Sequence, residues 1–253
     1  IETLNTLFKT HQISEVIHLA ALVNAKESVE KRELYKKVND QGSRNVWDAA
    51  ILAGVTTILY ASSAAVYGTP VSRDPIPESA PLSPSNPYGD TKLAGEKSLI
   101  ELAGDKVKYM IFRFFNVGGA EEEGRLGQSK ASRAIMQRLF TVAARDEDKI
   151  TISGSDYDTP DGTVVRDFIH VEDIAFAFVL GLDYLRKGKD SIILNLGSGE
   201  SHTIGEVIRE VEIVTGKPIP LVYGPRISGD ISYSLSDISL AGKVLGWEPA
   251  NTL

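Results

Sequence analysis

Short apolar runs alternate with longer segments of helical periodicity in the N-terminal part of the chain, and this alternation constrains the fold more than any other feature. The runs at 16–20, 57–61 and 107–112 are short and largely apolar, as expected of strands buried on both faces of a parallel sheet. Helical spacing of apolar residues marks 31–53, and a second helix is predicted to begin at Pro87. This order predicts an α/β fold with a doubly wound parallel sheet and right-handed crossovers.

The texture of the sequence changes after residue 115, where loops lengthen, glycine becomes more frequent and the predicted elements shorten. Apolar spacing predicts helices near 129–145, 171–187 and 203–215, and strands at 150–153, 164–169, 191–196 and 219–222. We expect this half of the chain to form a smaller α+β part that packs against the parallel sheet.

The composition argues against several classes of protein and partner. None of the 253 residues is cysteine, which excludes disulfides, thiolate metal sites and cysteine nucleophiles and suits a reducing compartment such as the cytoplasm. A formal net charge of −7 argues against nucleic-acid binding, which needs clustered Lys and Arg. Apolar runs stay well short of the roughly 20 residues of a membrane helix, and the histidines form no metal-ligand pattern. We predict no nucleic acid, no membrane and no metal partner.

No glycine-rich phosphate-binding turn of the GxGxxG or GxxxxGK[ST] type occurs in the sequence. A doubly wound sheet that binds a dinucleotide needs such a turn after its first strand, so that the backbone can approach the pyrophosphate. The chain begins at Ile1 rather than at Met, directly in an amphipathic helical pattern. Two interpretations stay open: the protein binds no dinucleotide, or the first βαβ unit lies upstream of Ile1.

Tyr88 and Lys92 stand four residues apart on the helix that is predicted to begin at Pro87, with Asn86 or Ser85 as its cap. This spacing puts the phenol and the ammonium on one face, one turn apart. A nearby cation stabilises a phenolate, so the pair is a candidate general base. A single YxxxK also arises by chance, and an exposed helix pair is an equal alternative on this evidence alone.

Ser62 and Ser63 follow the predicted strand 57–61, at the end where open α/β sheets bind their ligands. A hydroxyl there can bridge a substrate oxygen and a tyrosine, although a serine that closes a turn is a common alternative. Ser63, Tyr88 and Lys92 together, each on the expected element, are much harder to obtain by chance.

The motifs around these residues are similar to those of the extended short-chain dehydrogenase/reductases that act on nucleotide sugars, the NAD-dependent epimerase/dehydratase family. They are HLAAL at 18–22, ESV at 27–29, SSAAVYG at 62–68, NPYGDTKLAGE at 86–96, RFFNVGGA at 113–120, DYDTPDGTVVRDFIHVEDIA at 156–175, LNLGSG at 194–199, GD at 229–230 and LGW at 245–247. The long segment 156–175 is the most specific, and it resembles the UDP-glucose 4-epimerases within the family.

The resemblance implies an isomerase that interconverts UDP-glucose and UDP-galactose with NAD as cofactor and a UDP-hexose as substrate. Tyr88 would take the proton of the sugar 4-hydroxyl while hydride leaves C4, Lys92 would lower the tyrosine pKa and hold the nicotinamide ribose, and Ser63 would relay a hydrogen bond to O4. The 4-keto sugar would then turn over and receive hydride on its other face.

The resemblance also implies binding residues. The cofactor set is Leu19, Ala20, Ala21, Asn39, Ala61, Tyr88, Lys92, Phe114 and Phe115. The substrate set is Ser63, Asn116, Arg166, Arg226 and Asp230. An arginine fork suits diphosphate oxygens and a carboxylate suits ribose hydroxyls.

In terms of domains, the resemblance implies that residues 1–115 are the remainder of an NAD-binding Rossmann-type domain without its first βαβ unit. Residues 116–253 would form mainly the substrate domain, with some segments returning to the Rossmann-type sheet. The helices at 31–53 and 87–104 resemble the pair that forms a four-helix homodimer interface in this family, although the apolar residues of 31–53 fit a core helix equally well.

The sequence departs from the family pattern at several positions. Val23, Ala134 and Ile227 stand where these enzymes often have a lysine, an asparagine and a second arginine. Ala64 and Ala65 replace the acidic pair of the sugar dehydratases, which disfavours that reaction. The alternatives are another nucleotide-sugar epimerase or a decarboxylase of the same family, or a truncated protein that binds a nucleotide sugar without catalysis.

Overall fold

The structure is a computed structural model that describes residues 1–129, 132–227 and 231–251. The helices are α1 (Glu2–His11), α2 (Ala25–Glu30), α3 (Arg32–Tyr35), α4 (Gly42–Leu52), α5 (Pro87–Ala103), α6 (Ile135–Ala143), α7 (Val171–Arg186), α8 (Ile204–Thr215) and α9 (Ser239–Leu245). The strands are β1 (Glu15–His18), β2 (Thr57–Ser63), β3 (Lys108–Phe114), β4 (Asn116–Gly118), β5 (Ile150–Ser153), β6 (Val165–Arg166), β7 (Phe168–His170), β8 (Ile192–Leu196), β9 (His202–Thr203), β10 (Leu221–Gly224) and β11 (Tyr233–Ser234). Within the described ranges, no helix has both the length and the apolar character needed to cross a membrane.

The main sheet has the strand order β1-β2-β3-β8, and every neighbouring pair is parallel. Ile58 of the central β2 lies between Val16 and Tyr109 in the register. The predicted parallel α/β sheet is therefore confirmed. Because the strands run in one direction, their carboxyl ends meet at one edge, where ligands bind in open α/β sheets.

Helices cover both faces of this sheet, as doubly wound folds require. Successive side chains of a strand point to opposite faces, so β2 contributes to two separate cores. Ile58 and Tyr60 pack with α1, α4 and α5, whereas Leu59 and Ala61 pack with α7 and α9. Each fully buried large apolar side chain contributes roughly 1.5–3 kcal/mol to stability, so the two cores hold the helices against the sheet.

Helix α5 carries the predicted chemistry, and it begins where the sequence indicates. Of the two predicted caps, Asn86 is the one that acts: its side-chain oxygen accepts the backbone N–H of Gly89 at 2.9 Å. Pro87 occupies the first turn, where its missing N–H costs nothing. Positions 88 and 92 are therefore held in a defined register above the end of β2.

The predicted helix over 31–53 is wrong in one respect. The segment Lys36–Gln41 between α3 and α4 is a π-helical turn rather than regular α-helix. A π turn inserts one residue into the helical register and is frequent at functional sites. Here it includes the buried Asn39, whose contacts are described with the site.

A second core lies C-terminal to residue 115. It joins α6 and α8 to the parallel pair β5–β10 and to the small sheet β11-β6-β9. The predicted strand 164–169 is two short strands, β6 and β7, separated by the fully buried Asp167. The Asp167 carboxylate accepts hydrogen bonds from the backbone and hydroxyl of both Ser198 and Ser236, and from Gly199 N–H. These bonds tie the end of β8 to β11 and interrupt the extended run.

Candidate active site

Ser63, Tyr88 and Lys92 lie together at the carboxyl edge of the main sheet. Ser63 is the last residue of β2, and the other two stand on the first turns of α5. The Lys92 ammonium, whose residue is 3% exposed, donates to the Ala61 carbonyl at 2.7 Å and lies 6.0 Å from the Tyr88 ring centroid. The Ser63 hydroxyl accepts the backbone N–H of Ala65 at 3.2 Å, and it is close enough to the Tyr88 phenol to lower the pKa of that phenol. The structure thus places these three predicted catalytic residues, and Ala61 of the cofactor set, in one cluster.

The electrostatics of the pair follow from its burial. Burial lowers the pKa of Lys92 to about 8, and the negative charge of Glu96 opposes this shift. Burial also raises the pKa of Tyr88, while the hydrogen bond from Ser63 lowers it. A positive charge near a phenol favours its ionised form, so the Lys92 ammonium acts against the effect of burial on Tyr88.

A buried ion pair lies directly behind this cluster. The Arg113 side chain donates to Glu96 from Nε at 3.0 Å and from Nη2 at 2.7 Å. Ser62, the neighbour of Ser63, also donates to Glu96, and Arg113 Nη1 donates to the Tyr67 hydroxyl at 3.1 Å. The network connects β2, β3 and α5 next to Ser63 and one helical turn beyond Lys92.

Sequence reasoning missed this network, although part of the signal is present. Glu96 stands one turn after Lys92 and therefore continues the same helix face. Arg113 stands two residues after Ile111 on β3, so both side chains point to the same face of the sheet, the face that α5 covers. Only the fold shows that these two charges meet.

The residues after β1 belong to the predicted cofactor set. Leu19, Ala20 and Ala21 follow the strand, and Leu19 is 60% exposed at the carboxyl edge. Asn39 is buried and bonds both backbone groups of Leu22, through Oδ1 to the N–H and through Nδ2 to the carbonyl, each at 2.8 Å. Asn39 therefore holds the loop after β1 in place, a role that acts through backbone.

The predicted aromatic pair and the residue after it occupy different environments. Phe114 is half-buried at the end of β3, with its ring 5.9 Å from that of Phe178 on α7. Phe115 is buried in a separate cluster with Val66 and Tyr67. Asn116 is half-buried and begins β4.

The predicted substrate arginines lie on the second core. Arg166 is half-buried on β6, where Nη1 donates to the Val165 carbonyl at 2.9 Å. Arg226 is exposed; its Nε donates to Asp156 at 2.7 Å and its guanidinium lies 4.3 Å from the centroid of the Tyr157 ring. Asp230 lies outside the described residues.

In the part of the chain that the structure describes, no three His, Cys, Asp or Glu side chains are grouped so that they could hold a metal ion. The expectation that the protein binds no metal stays a prediction.

Comparison with known proteins adds to this geometry. The profile of the NAD dependent epimerase/dehydratase family matches residues 1–197. A UDP-glucose 4-epimerase of Halalkalibacterium halodurans is 39% identical over 252 residues, which cover 98% of this chain and 75% of that protein.

Solved structures of this kind superpose on nearly the whole chain. The UDP-glucose 4-epimerase of Stenotrophomonas maltophila, solved with NAD and formylated UDP-arabinopyranose, has a TM-score of 0.93 at 37% identity, covering 99% of this chain and 76% of its own. The Bifidobacterium longum UDP-glucose 4-epimerase, in complex with NAD+ and UDP, has a TM-score of 0.91 at 36% identity, covering 99% and 76% respectively.

Proposed function

This chain belongs to the NAD dependent epimerase/dehydratase family, and on that premise we propose that it interconverts UDP-glucose and UDP-galactose with NAD as its cofactor. The observation that carries the proposal is the cluster of Ser63, Tyr88 and Lys92 at the carboxyl edge of the sheet. Relatives with this reaction in their name match nearly the whole chain at 36–39% identity. The cluster supplies the chemistry that the reaction needs.

The residues at the carboxyl edge fit a nicotinamide nucleotide. The Lys92 ammonium and Tyr88 phenol are donors suited to ribose hydroxyls, and the exposed Leu19 offers an apolar surface at the same edge of the sheet. The site would be completed by the backbone of Ala20 and Ala21, by the side chain of Phe114, and by Ala61, Asn39 and Phe115. Bound by these residues, NAD would supply the hydride acceptor and donor for C4 of the sugar.

Tyr88 is the proposed general base and acid. As phenolate, its oxygen takes the proton of the sugar 4-hydroxyl, and it returns that proton when the 4-keto group is reduced. Lys92 stabilises the phenolate by its positive charge, and Ser63 orients the sugar oxygen and the phenol by hydrogen bonding. Proton transfer by such a positioned group contributes typically about 10²–10⁴-fold to the rate.

Asn116, Arg166, Arg226 and Asp230 are proposed to hold the uridine diphosphate. The Arg226 side chain lies on the surface, so its guanidinium can exchange the Asp156 carboxylate for diphosphate oxygens with little rearrangement. Paired N–H donors of a guanidinium match phosphate oxygens in geometry and charge. This assignment predicts that Asp156 competes with the diphosphate for Arg226.

Conversion of UDP-galactose to UDP-glucose, measured with NAD supplied, tests the proposed function. We expect conversion by the wild-type protein and conversion about 10²–10⁴-fold slower by a Tyr88→Phe variant that still binds NAD. Absence of conversion by wild-type protein that has NAD bound would overturn the proposed substrate. Turnover of a different UDP- or dTDP-sugar under the same conditions would assign that substrate instead.

The two core regions support a division of the chain into an NAD-binding part and a substrate part. We propose that residues 1–115 belong to the NAD-binding part and that 116–253 form mainly the substrate part, with α7 and β8 contributing to the main sheet. In the proposed division, Arg166 and Arg226 belong to the substrate part, and Ser63, Tyr88 and Lys92 belong to the NAD-binding part.

A homodimer is also proposed, through the helices at 31–53 and 87–104. These segments expose several large apolar side chains, and exposed apolar surface is a feature of protein–protein interfaces: Leu34, Val38, Leu52 and Ile100. Sedimentation velocity tests this: we expect a dimer for the wild type and a monomer for a Leu52→Glu/Ile100→Glu variant, and a monomeric wild type would overturn it. The cytoplasmic location stays a prediction.

A further inference from the structure

Tyr60, in the middle of β2, is a buried titratable residue that the proposed mechanism does not use. The Lys92 ammonium lies 5.1 Å from the centroid of its ring, closer than it lies to the ring of Tyr88. We propose that Tyr60 is a positioning residue for Lys92, whose ring face holds the ammonium at its working position and in its charged form. This inference rests on the proposed function of Lys92.

The strand and the helix bring this ring under the lysine. Tyr60 and Ser62 are two residues apart on β2, so both point to the face of the sheet that α5 covers. A Cβ added at Gly95 would lie 2.5 Å from the Tyr60 hydroxyl oxygen, so the ring reaches this close to α5 because residue 95 has no side chain. Tyr60 is 1% exposed, so the ring is enclosed by the surrounding side chains.

Two further aromatic side chains clamp the Tyr60 ring. His18 stacks on it at 5.8 Å with an interplanar angle of 18°, and Trp47 meets it edge-on at 5.3 Å. Burial and the charge of Lys92 lower the pKa of His18 to about 4, so its imidazole is neutral at physiological pH. The stack under Lys92 therefore adds no competing positive charge.

The other groups around the Lys92 ammonium leave the Tyr60 ring as a further group that can stabilise its charge. Its described hydrogen bond goes to the Ala61 carbonyl, and the Glu96 carboxylate already accepts from Arg113. Burial raises the pKa of Tyr60, so its hydroxyl stays protonated and the interaction is with the neutral ring. A cation over an aromatic face gains most where water is excluded, as it is at this buried ammonium.

The test measures the titration of Lys92 itself, by NMR of protein labelled at lysine 13Cε and with the Lys92 signal assigned through a Lys92→Met variant. Wild type, Tyr60→Phe and Tyr60→Leu are compared. We expect Tyr60→Phe to titrate like wild type and Tyr60→Leu to show a lower Lys92 pKa, by about half a unit to one and a half units. Equal titration in all three proteins would overturn the proposal.

A matched control separates the ring from general loosening of the strand. Leu59 is equally buried on β2 but faces α7, so Leu59→Ala is expected to lower stability without moving the Lys92 titration. A shift in Leu59→Ala as large as in Tyr60→Leu would overturn the proposal. If Tyr60→Leu does not fold, Tyr60→Met decides by the same criterion.

The NMR readout does not depend on turnover. Conversion of UDP-galactose by the wild type, with no Lys92 shift in Tyr60→Leu, would overturn the role of Tyr60 and leave the proposed function standing. No conversion by NAD-loaded wild type would overturn the proposed function itself.

Discussion

Arg113 and Glu96 form a doubly hydrogen-bonded ion pair, at 3.0 and 2.7 Å, with only 2% and 1% of their side chains exposed. Two charges so deeply buried are stable only as a pair, because each would otherwise face a low dielectric without compensation. The pair joins β3 to α5, one helical turn beyond Lys92. It therefore fixes the helix that carries the proposed base.

Glu96→Gln is expected to destabilise the protein by about 3–5 kcal/mol, because it leaves the Arg113 charge buried without its counter-ion. Urea unfolding followed by circular dichroism measures the effect. The exposed pair of Arg73 and Asp158 supplies the control, since Arg73→Ala should leave the unfolding midpoint almost unchanged. Equal effects of the two substitutions would contradict the assignment of the buried pair.

Tyr88→Phe is expected to lower kcat by about 10²–10⁴-fold while NAD binding and the unfolding midpoint stay close to wild type, because only the proton-carrying oxygen is removed. Steady-state conversion of UDP-galactose measures it. Tyr109→Phe is the matched control, as this tyrosine lies half-buried on β3 at the opposite end of the sheet from the carboxyl edge. A Tyr88→Phe variant with near-wild-type kcat would refute the role of Tyr88.

Acidification is expected to destabilise the protein through His18. Its pKa is about 4 in the fold and 6.5 in the unfolded chain, so the unfolded chain binds the additional proton and stability falls as pH drops from about 6.5 towards 4. Between pH 7 and pH 5 the loss from this group is about 2 kcal/mol. Urea unfolding at both pH values measures the loss: the free energy of unfolding should fall more in the wild type than in His18→Gln. An equal fall in both proteins would contradict the prediction.

Arg226→Ala is expected to weaken UDP binding by about tenfold or more, because a charged donor to the diphosphate is lost. Asp156→Asn is expected to tighten binding, because it removes the carboxylate that holds Arg226 at 2.7 Å. Isothermal titration calorimetry with UDP measures both. If Asp156 competes with the diphosphate for Arg226, the two substitutions change the affinity for UDP in opposite directions. If Asp156 and Arg226 form the site together, both substitutions weaken UDP binding.

The sequence determined those parts of the protein that depend on short separations along the chain. Tyr88 and Lys92 meet because they are one helical turn apart, and Asn86 caps their helix because it stands directly before Pro87. Ser63 lies at the carboxyl edge because the apolar run before it is a buried parallel strand. Local periodicity and capping fix each of these, so the placement of Ser63, Tyr88 and Lys92 was predictable.

The tertiary structure alone decided the contacts between distant residues. Arg113 meets Glu96 across 17 positions and Arg226 meets Asp156 across 70, and neither pairing has a local signature. The ring of Tyr60 lies below Lys92 only because β2 and α5 pack with a glycine at their closest approach. Side-chain type predicts which interactions a residue can make, but which partner it meets depends on how sheet and helices pack, and that packing is a property of the whole fold.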